Sequence, residues 1–250
     1  MKVVFSDYFY TVYTSDPASE AGRMESIVDA LPDHVEMVDP EPCSEDQILL
    51  AHTRSHVSDI KRQGLYDIAS LAAGAAIESA RIGLDEPAFG AIRPPGHHAS
   101  ADSAWGFCFF NNMAIALLAM RMEKRIDTAM VLDIDLHYGD GTENILHDHS
   151  WVRTFNISKN SRESYLQEIE RILSKNRVDL IGISAGFDNH KNDWGGLLAT
   201  EDYHRIGKMV SQAASASNSG YFALLEGGYN HKVLGSNAAA LINGMSTMVS

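Results

Sequence analysis

Asp133, Asp135 and His137 occupy alternate positions in the stretch Ala129-Met-Val-Leu-Asp-Ile-Asp-Leu-His-Tyr-Gly-Asp-Gly-Thr142. The stretch opens apolar, Met130 to Leu132, as a strand buried on both faces does. Residues two apart on an extended chain point to the same side. Three ligand-type side chains therefore line up where a buried strand ends. Carboxylates and an imidazole are costly to desolvate there unless they are paired or hold a metal. Gly139 and Gly141 break the extension, and a helix is expected to start at Thr142. Taken alone, these residues also suit a polar strand end with Asp140 capping that helix.

A single catalytic metal takes three protein ligands and keeps one open position. Asp135 and His137 supply two. A second apolar strand, Val178 to Ser184, exits into Ala185-Gly-Phe-Asp-Asn-His190. Asp188 is the best third ligand there, with His190 and Asp193 as alternatives. Two carboxylates and one imidazole make a hard donor set, which suits zinc and also Fe(II) or Co(II). Another strand, Ala88 to Ile92, leads into Arg93-Pro-Pro-Gly-His-His-Ala99. Adjacent histidines in a loop are often merely solvated, but a rigid corner after a strand favours a functional placement. An activated water needs a base, and a leaving amine needs an acid. His97 and His98 can divide that work if each is oriented by a carboxylate, and Asp133 and Asp140 are assigned that role. Tyr229 follows Gly227-Gly228, a pair that suggests a backbone free to swing a phenol toward the site. A phenol donates to an oxyanion without changing charge. Trp105, Gly106 and Phe107 lie on a loop near the histidines, where aromatics either join the core or line a narrow way in for an alkyl chain.

The elements that must position these groups alternate along the chain. Strands are expected at Lys2–Phe5, Val35–Val38, Ala88–Ile92, Met130–Leu132, Val152–Ile157, Val178–Ser184 and Tyr221–Leu225. Helices are expected at Glu20–Leu31, Glu45–Ala51 with Ser44 as cap, Tyr66–Ile82 with Gly83 as stop, Met113–Arg121, Arg162–Lys175, from a Thr200 cap, and at His231–Met245. Such alternation predicts an α/β fold, a mainly parallel sheet between two helical layers. In such sheets the ligand crevice lies beyond the carboxyl ends of the strands, where every candidate residue above falls. The 250 residues, 45% of them hydrophobic, suit one domain spanning 1–250. A net charge of -13 without a basic patch argues against direct nucleic-acid binding. Two cysteines give no disulfide framework, and the absence of a long apolar run argues against a membrane segment, so a cytoplasmic setting is expected.

Together these motifs resemble the histone deacetylase and acetylpolyamine amidohydrolase family. The resemblance rests on Arg-Pro-Pro-Gly-His-His at 93–98, Gly-Phe-Cys-Phe-Phe-Asn-Asn at 106–112 and Asp-Ile-Asp-Leu-His at 133–137. Ser-Ala-Gly-Phe-Asp at 184–188 and Glu-Gly-Gly-Tyr at 226–229 complete it. It runs from about residue 50 to the end, and more faintly from Asp16 to Arg23. It implies an arginase-like three-layer α/β/α fold and zinc-dependent hydrolysis of N-acetyl amides. Asp135, His137 and Asp188 match the zinc ligands. His97 matches the general base, and His98 the partner that helps protonate the leaving amine. Tyr229 matches the residue that polarises the acetyl carbonyl. Phe107 matches a wall of the acyl-amine tunnel, with Trp105, Gly106 and Gly228 expected beside the substrate. Asp133 and Asp140 match the carboxylates behind the histidines, and a potassium ion is implied near Asp133.

The sequence also departs from that pattern. Tyr138 stands where a second histidine is usual, and Asn156 where a serine often helps the monovalent cation. Relatives carry a long Gly- and Pro-rich loop after the residue matching Ile157, which supplies a second aromatic wall. Here Ser158-Lys-Asn-Ser161 passes almost directly into a helix. The mouth is therefore expected to be shallower, or to borrow a wall from a second subunit in a homo-oligomer. The expected substrates are small acetylated amines or acetyl-lysine peptides. Two other readings suit parts of the pattern: a dinuclear manganese hydrolase of arginase type, and a non-catalytic module that binds acetyl-lysine or an amine.

Overall fold

A computed structural model describes residues 1–247. Its seven strands are β1 (Lys2–Val4), β2 (Glu36–Val38), β3 (Ala88–Gly90), β4 (Ala129–Asp133), β5 (Val152–Asn156), β6 (Leu180–Ala185) and β7 (Gly220–Leu225). They form one sheet in the order β2-β1-β3-β7-β6-β4-β5, and every pairing is parallel. The helices are α1 (Arg23–Val28), α2 (Glu45–Ile48), α3 (Arg54–Arg62), α4 (Tyr66–Gly83), α5 (Asn112–Met122), α6 (Asp140–Leu146), α7 (Arg162–Lys175), α8 (Thr200–Ser217) and α9 (His231–Met245). They pack in two sets: α1, α7, α8 and α9 against one another, and α2 to α6 likewise. Strand β4 is buried at every residue, as a central parallel strand covered on both faces must be. One apolar cluster runs from Val3 to Met245. Among the described residues no helix is long and apolar enough to cross a membrane.

Several boundaries differ from the sequence expectation, each for a local reason. The first helix starts only at Arg23, because Gly22 before it is left-handed (φ 86°). Helix α6 starts at Asp140 rather than Thr142, and the residue before it is Gly139, so Asp140 does not cap it. Thr200 is the first residue of α8 and not its cap; Asp202 reaches back to accept from the Ala199 N–H at 2.8 Å. Gly83 is the last residue of α4 rather than the residue after it, and a Cβ there would sit tightly, 3.0 Å from both Phe222 Cβ and the Tyr221 carbonyl. Ser44 does cap α2, with Gln47 returning the hydrogen bond.

The sheet order places β3, β7, β6 and β4 side by side. Because all run the same way, their exits share one edge. The ends of these four strands and the segments after them carry every candidate side chain to that edge.

Candidate metal centre and its flanking histidines

Asp135, His137 and Asp188 come together beyond β4 and β6, each offering a ligand atom within 4.8 Å of the others. Both aspartates are buried, and His137 Nδ1 lies 3.2 Å from Asp135 Oδ1 and 2.9 Å from Asp188 Oδ2. Backbone amides hold the carboxylates in place. Asp135 Oδ1 accepts from the His137 N–H and Oδ2 from the Gly227 N–H, while Asp188 Oδ1 accepts from the Leu136 N–H. Asp188 Oδ2 is close to the imidazole but receives no well-aligned hydrogen bond, so it stays buried and unsatisfied. Two glycines form the cradle. A Cβ at Gly186 would fall 2.1 Å from Asp135 Oδ2, and one at Gly227 would fall 2.6 Å from that oxygen and 2.8 Å from Asp188 Oδ2. The Gly227-Gly228 pair thus serves close approach rather than a swinging backbone, and the Gly228 carbonyl is tied to the buried Arg23 at 2.9 Å.

The charge of the cluster calls for a cation. Burial, with the Asp135 charge beside it, raises Asp188 to about 6. The hydrogen bond to Asp135 and the Asp188 carboxylate close by raise His137 to about 10, as an excess of negative charge does. Asp135 is held below its ordinary value: burial opposes ionisation, but the charge of His97 and the hydrogen bonds from His137 and Gly227 prevail. Two facing carboxylates, a half-exposed imidazole and an unsatisfied ligand oxygen fit a divalent cation bound by all three residues. His190 and Asp193, the other candidates for third ligand, lie outside this group. His190 Nδ1 accepts from the Asn192 N–H, and Asp193 Oδ2 accepts from the Tyr229 and Asn230 N–H groups at 2.9 and 2.8 Å.

His97 and His98 are buried beside the cluster, their ring centroids 4.0 Å apart. Each has its own carboxylate. His97 Nδ1 donates to Asp133 Oδ2 at 3.0 Å, and His98 Nδ1 donates to Asp140 Oδ1 at 2.6 Å. His97 Nε2 lies 3.8 Å from Asp135 Oδ1. The environments push the two rings apart. Burial and the neighbouring His97 lower His98 to about 4. Burial also acts against a charge on His97, but Asp135, Asp133 and Glu226 outweigh it and raise that ring well above its ordinary value. A cation at Asp135 would oppose this rise.

Trp105 packs against His98 with ring centroids 3.9 Å apart and planes tilted by 31°, and its Nε1–H donates to Asp140 Oδ2 at 2.8 Å. Gly106 and Phe107 both have positive φ, 58° and 69°, an unusual conformation for a phenylalanine. This turn sets the Phe107 ring edge-on to Tyr229 at 5.8 Å. Burial and the nearby Asp135 charge push the Tyr229 phenol far above its ordinary value, so it stays protonated. Asn156 Oδ1 accepts from the Gly139 N–H at 2.8 Å, and Tyr138 is exposed.

Three supporting residues were not assigned roles from the sequence. Glu226 Oε2 accepts from the Gly96 and His97 N–H groups at 2.7 and 3.2 Å, which ties the Pro-Pro-Gly corner to the exit of β7. Arg23 donates to the carbonyls of Glu226 and Gly228 and lies 5.7 Å above the Tyr229 ring. Trp194 stacks on the Tyr229 ring at 4.1 Å. A buried glutamate after an apolar strand was the one available signal; the arginine and the tryptophan have none in their own stretches.

The family described as Histone deacetylase domain matches residues 18–168 and 158–245. A probable deacetylase of Methanothermobacter thermautotrophicus is 28% identical, over 83% of this chain and 78% of that protein. Acetylpolyamine amidohydrolase 2 of Pseudomonas aeruginosa is 29% identical, over 62% of this chain and 55% of that protein. The crystal structure of the HDA15 HD domain superposes with a TM-score of 0.87 at 21% identity, covering 99% of this chain and 91% of that one. This last likeness is one of fold.

Proposed function

The chain belongs to the histone deacetylase domain family, and from that premise we propose that it is a metal-dependent deacetylase of small N-acetylated amines. The observation that carries this reading is the meeting of Asp135, His137 and Asp188 beside two separate imidazole–carboxylate pairs. A divalent cation held by those three residues would supply Lewis acidity toward an acetyl carbonyl and toward water. Zinc is the expected ion, and Fe(II) or Co(II) suits the same donors.

The chain's own residues account for the proton movements. Asp133 holds the Nδ1 proton of His97, which leaves Nε2 to accept a proton from the attacking water. Asp140 holds the Nδ1 proton of neutral His98 in the same way, and the proton that His97 has taken from the water can then pass, beside His98, to the leaving amine. Trp105 fixes Asp140 from the other side. Tyr229, kept neutral, donates to the oxygen that gains charge. The Phe107 ring and the Trp105 indole give an alkyl stem apolar surface beside the histidines. The acetylpolyamine amidohydrolase relative and the net charge of -13 favour a cationic amine as substrate, ahead of an acetyl-lysine peptide.

The test loads the purified chain with zinc, Fe(II) or Co(II) and measures acetate release from acetylpolyamines and acetyl-lysine peptides. Release is expected, and Asp188→Ala is expected to take up no metal and release no acetate. Normal metal content in that variant would refute the ligand set. A loaded wild type that releases acetate from neither substrate class would refute the reading as a whole.

A further inference from the structure

Only Ser158-Lys-Asn-Ser161 separates Ile157 from α7, and none of these residues is aromatic. The structure brings another aromatic ring to the site. Trp194 stacks on Tyr229 with an interplanar angle of 25° and meets the His137 ring edge-on at 6.1 Å. It therefore adjoins a ligand candidate and the phenol donor at once. Phe107 adjoins the same Tyr229 ring at 79°, so Tyr229 has one aromatic on its face and another meeting it edge to face.

The backbone on each side of Trp194 is fixed to the site. The preceding residue, Asp193, accepts from the N–H groups of Trp194, Tyr229 and Asn230. The following residue, Gly195, donates its N–H to the carbonyl of Asp188 at 2.8 Å. Despite this anchoring the indole is 54% exposed. With Tyr229, Asn192 and Glu20 it lines an open cavity of about 510 Å³. A large apolar ring held rigidly and left half in water is placed to meet a ligand rather than to fill a core.

We propose that Trp194 is a substrate-positioning residue: its indole walls the alkyl stem of the acetylated amine and holds the Tyr229 ring beside the ligand set. This rests on the deacetylase reading above. An alkyl stem gains contact on the indole face, and an ammonium farther along the stem is attracted by the same face. The wall that the short Ser158–Ser161 connection cannot supply then comes from the loop after β6 of the same chain, without a second subunit.

The experiment compares wild type with Trp194→Ala and Trp194→Phe, all loaded with zinc, on N-acetylputrescine. Trp194→Ala should raise KM about tenfold and lower kcat by a smaller factor, and Trp194→Phe should restore most of the KM. Zinc content should be equal in all three, because no ligand is removed. KM and kcat in Trp194→Ala both within about twofold of wild type would overturn the proposal. A loaded wild type that releases acetate from neither N-acetylputrescine nor an acetyl-lysine peptide would sink the deacetylase reading separately. Tryptophan emission then decides on Trp194 alone. A change on adding N-acetylputrescine that is present in wild type and lost in Trp194→Phe supports the wall; an equal change in both, or none in wild type, overturns it.

Discussion

Tyr229 is bounded by the Trp194 face, the Phe107 edge and the Arg23 guanidinium, so its ring has little room to turn. A phenol kept neutral and held in this way is suited to donate one hydrogen bond to a developing negative charge. Tyr229→Phe keeps the packing and removes only the donor. Its kcat on an acetylated amine is expected to fall about 10²-fold with metal content unchanged. Unchanged turnover would remove Tyr229 from the mechanism. At this scale the residues that gather at the site were legible: acids and imidazoles after apolar strands announce themselves by their desolvation cost. Trp194 was not legible, because a tryptophan in a polar loop has no periodicity to place it. Arg23 was not either, since its partners, the carbonyls of Glu226 and Gly228, are about 200 residues away.

At the scale of elements, the loop after β6 and the loop after β7 behave as one unit. Asp193 is the clamp, with its two carboxylate oxygens accepting from Trp194 and from the Tyr229 and Asn230 backbone. Asp193→Ala leaves those N–H groups without a protein partner, a loss of about 1 to 3 kcal/mol. In a chain of this size that lowers the melting temperature by several degrees, roughly 2 to 4 °C per kcal/mol. Because the clamp also fixes Tyr229, kcat should fall together with stability, while metal content stays near wild type. A melting curve and a kcat both indistinguishable from wild type would show that the two loops are held by something else. The sequence presented Asp193 as an alternative metal ligand. Its actual use follows from where β7 lies in the sheet, next to β6.

At the scale of the whole molecule, the contiguous core from Val3 to Met245 supports reading the chain as one folding unit, with a single unfolding transition expected. Buried His52 ties the segment before α3 to the histidine loop. Its Nδ1 lies 2.9 Å from the Ser100 carbonyl and its Nε2 accepts from the Asn111 N–H at 2.8 Å. Protonation would set two N–H groups against each other. Burial and the neighbouring His56 accordingly lower His52 from 6.5 to about 3. The unfolded chain thus takes up this proton first as pH falls. The stability from His52 is full above about 6.5 and is lost progressively between there and about 3. At pH 5 the loss from this residue is about 2 kcal/mol. Urea unfolding at pH 7.5 and pH 5 should show a smaller difference in His52→Gln than in wild type, and equal differences would reject the assignment. The sequence by itself determined the alternation of strands and helices, the parallel sheet and the types of side chain at the strand exits. These follow from local periodicity and from the cost of burying charge, which act within a few residues. Only the tertiary structure decided that β3, β7, β6 and β4 lie adjacent, that Asp188 and not His190 or Asp193 lies within reach of both Asp135 and His137, and that Trp194 covers Tyr229. Those facts depend on the order of strands across the sheet, and pairing between distant strands leaves no mark on the spacing of residues along the chain.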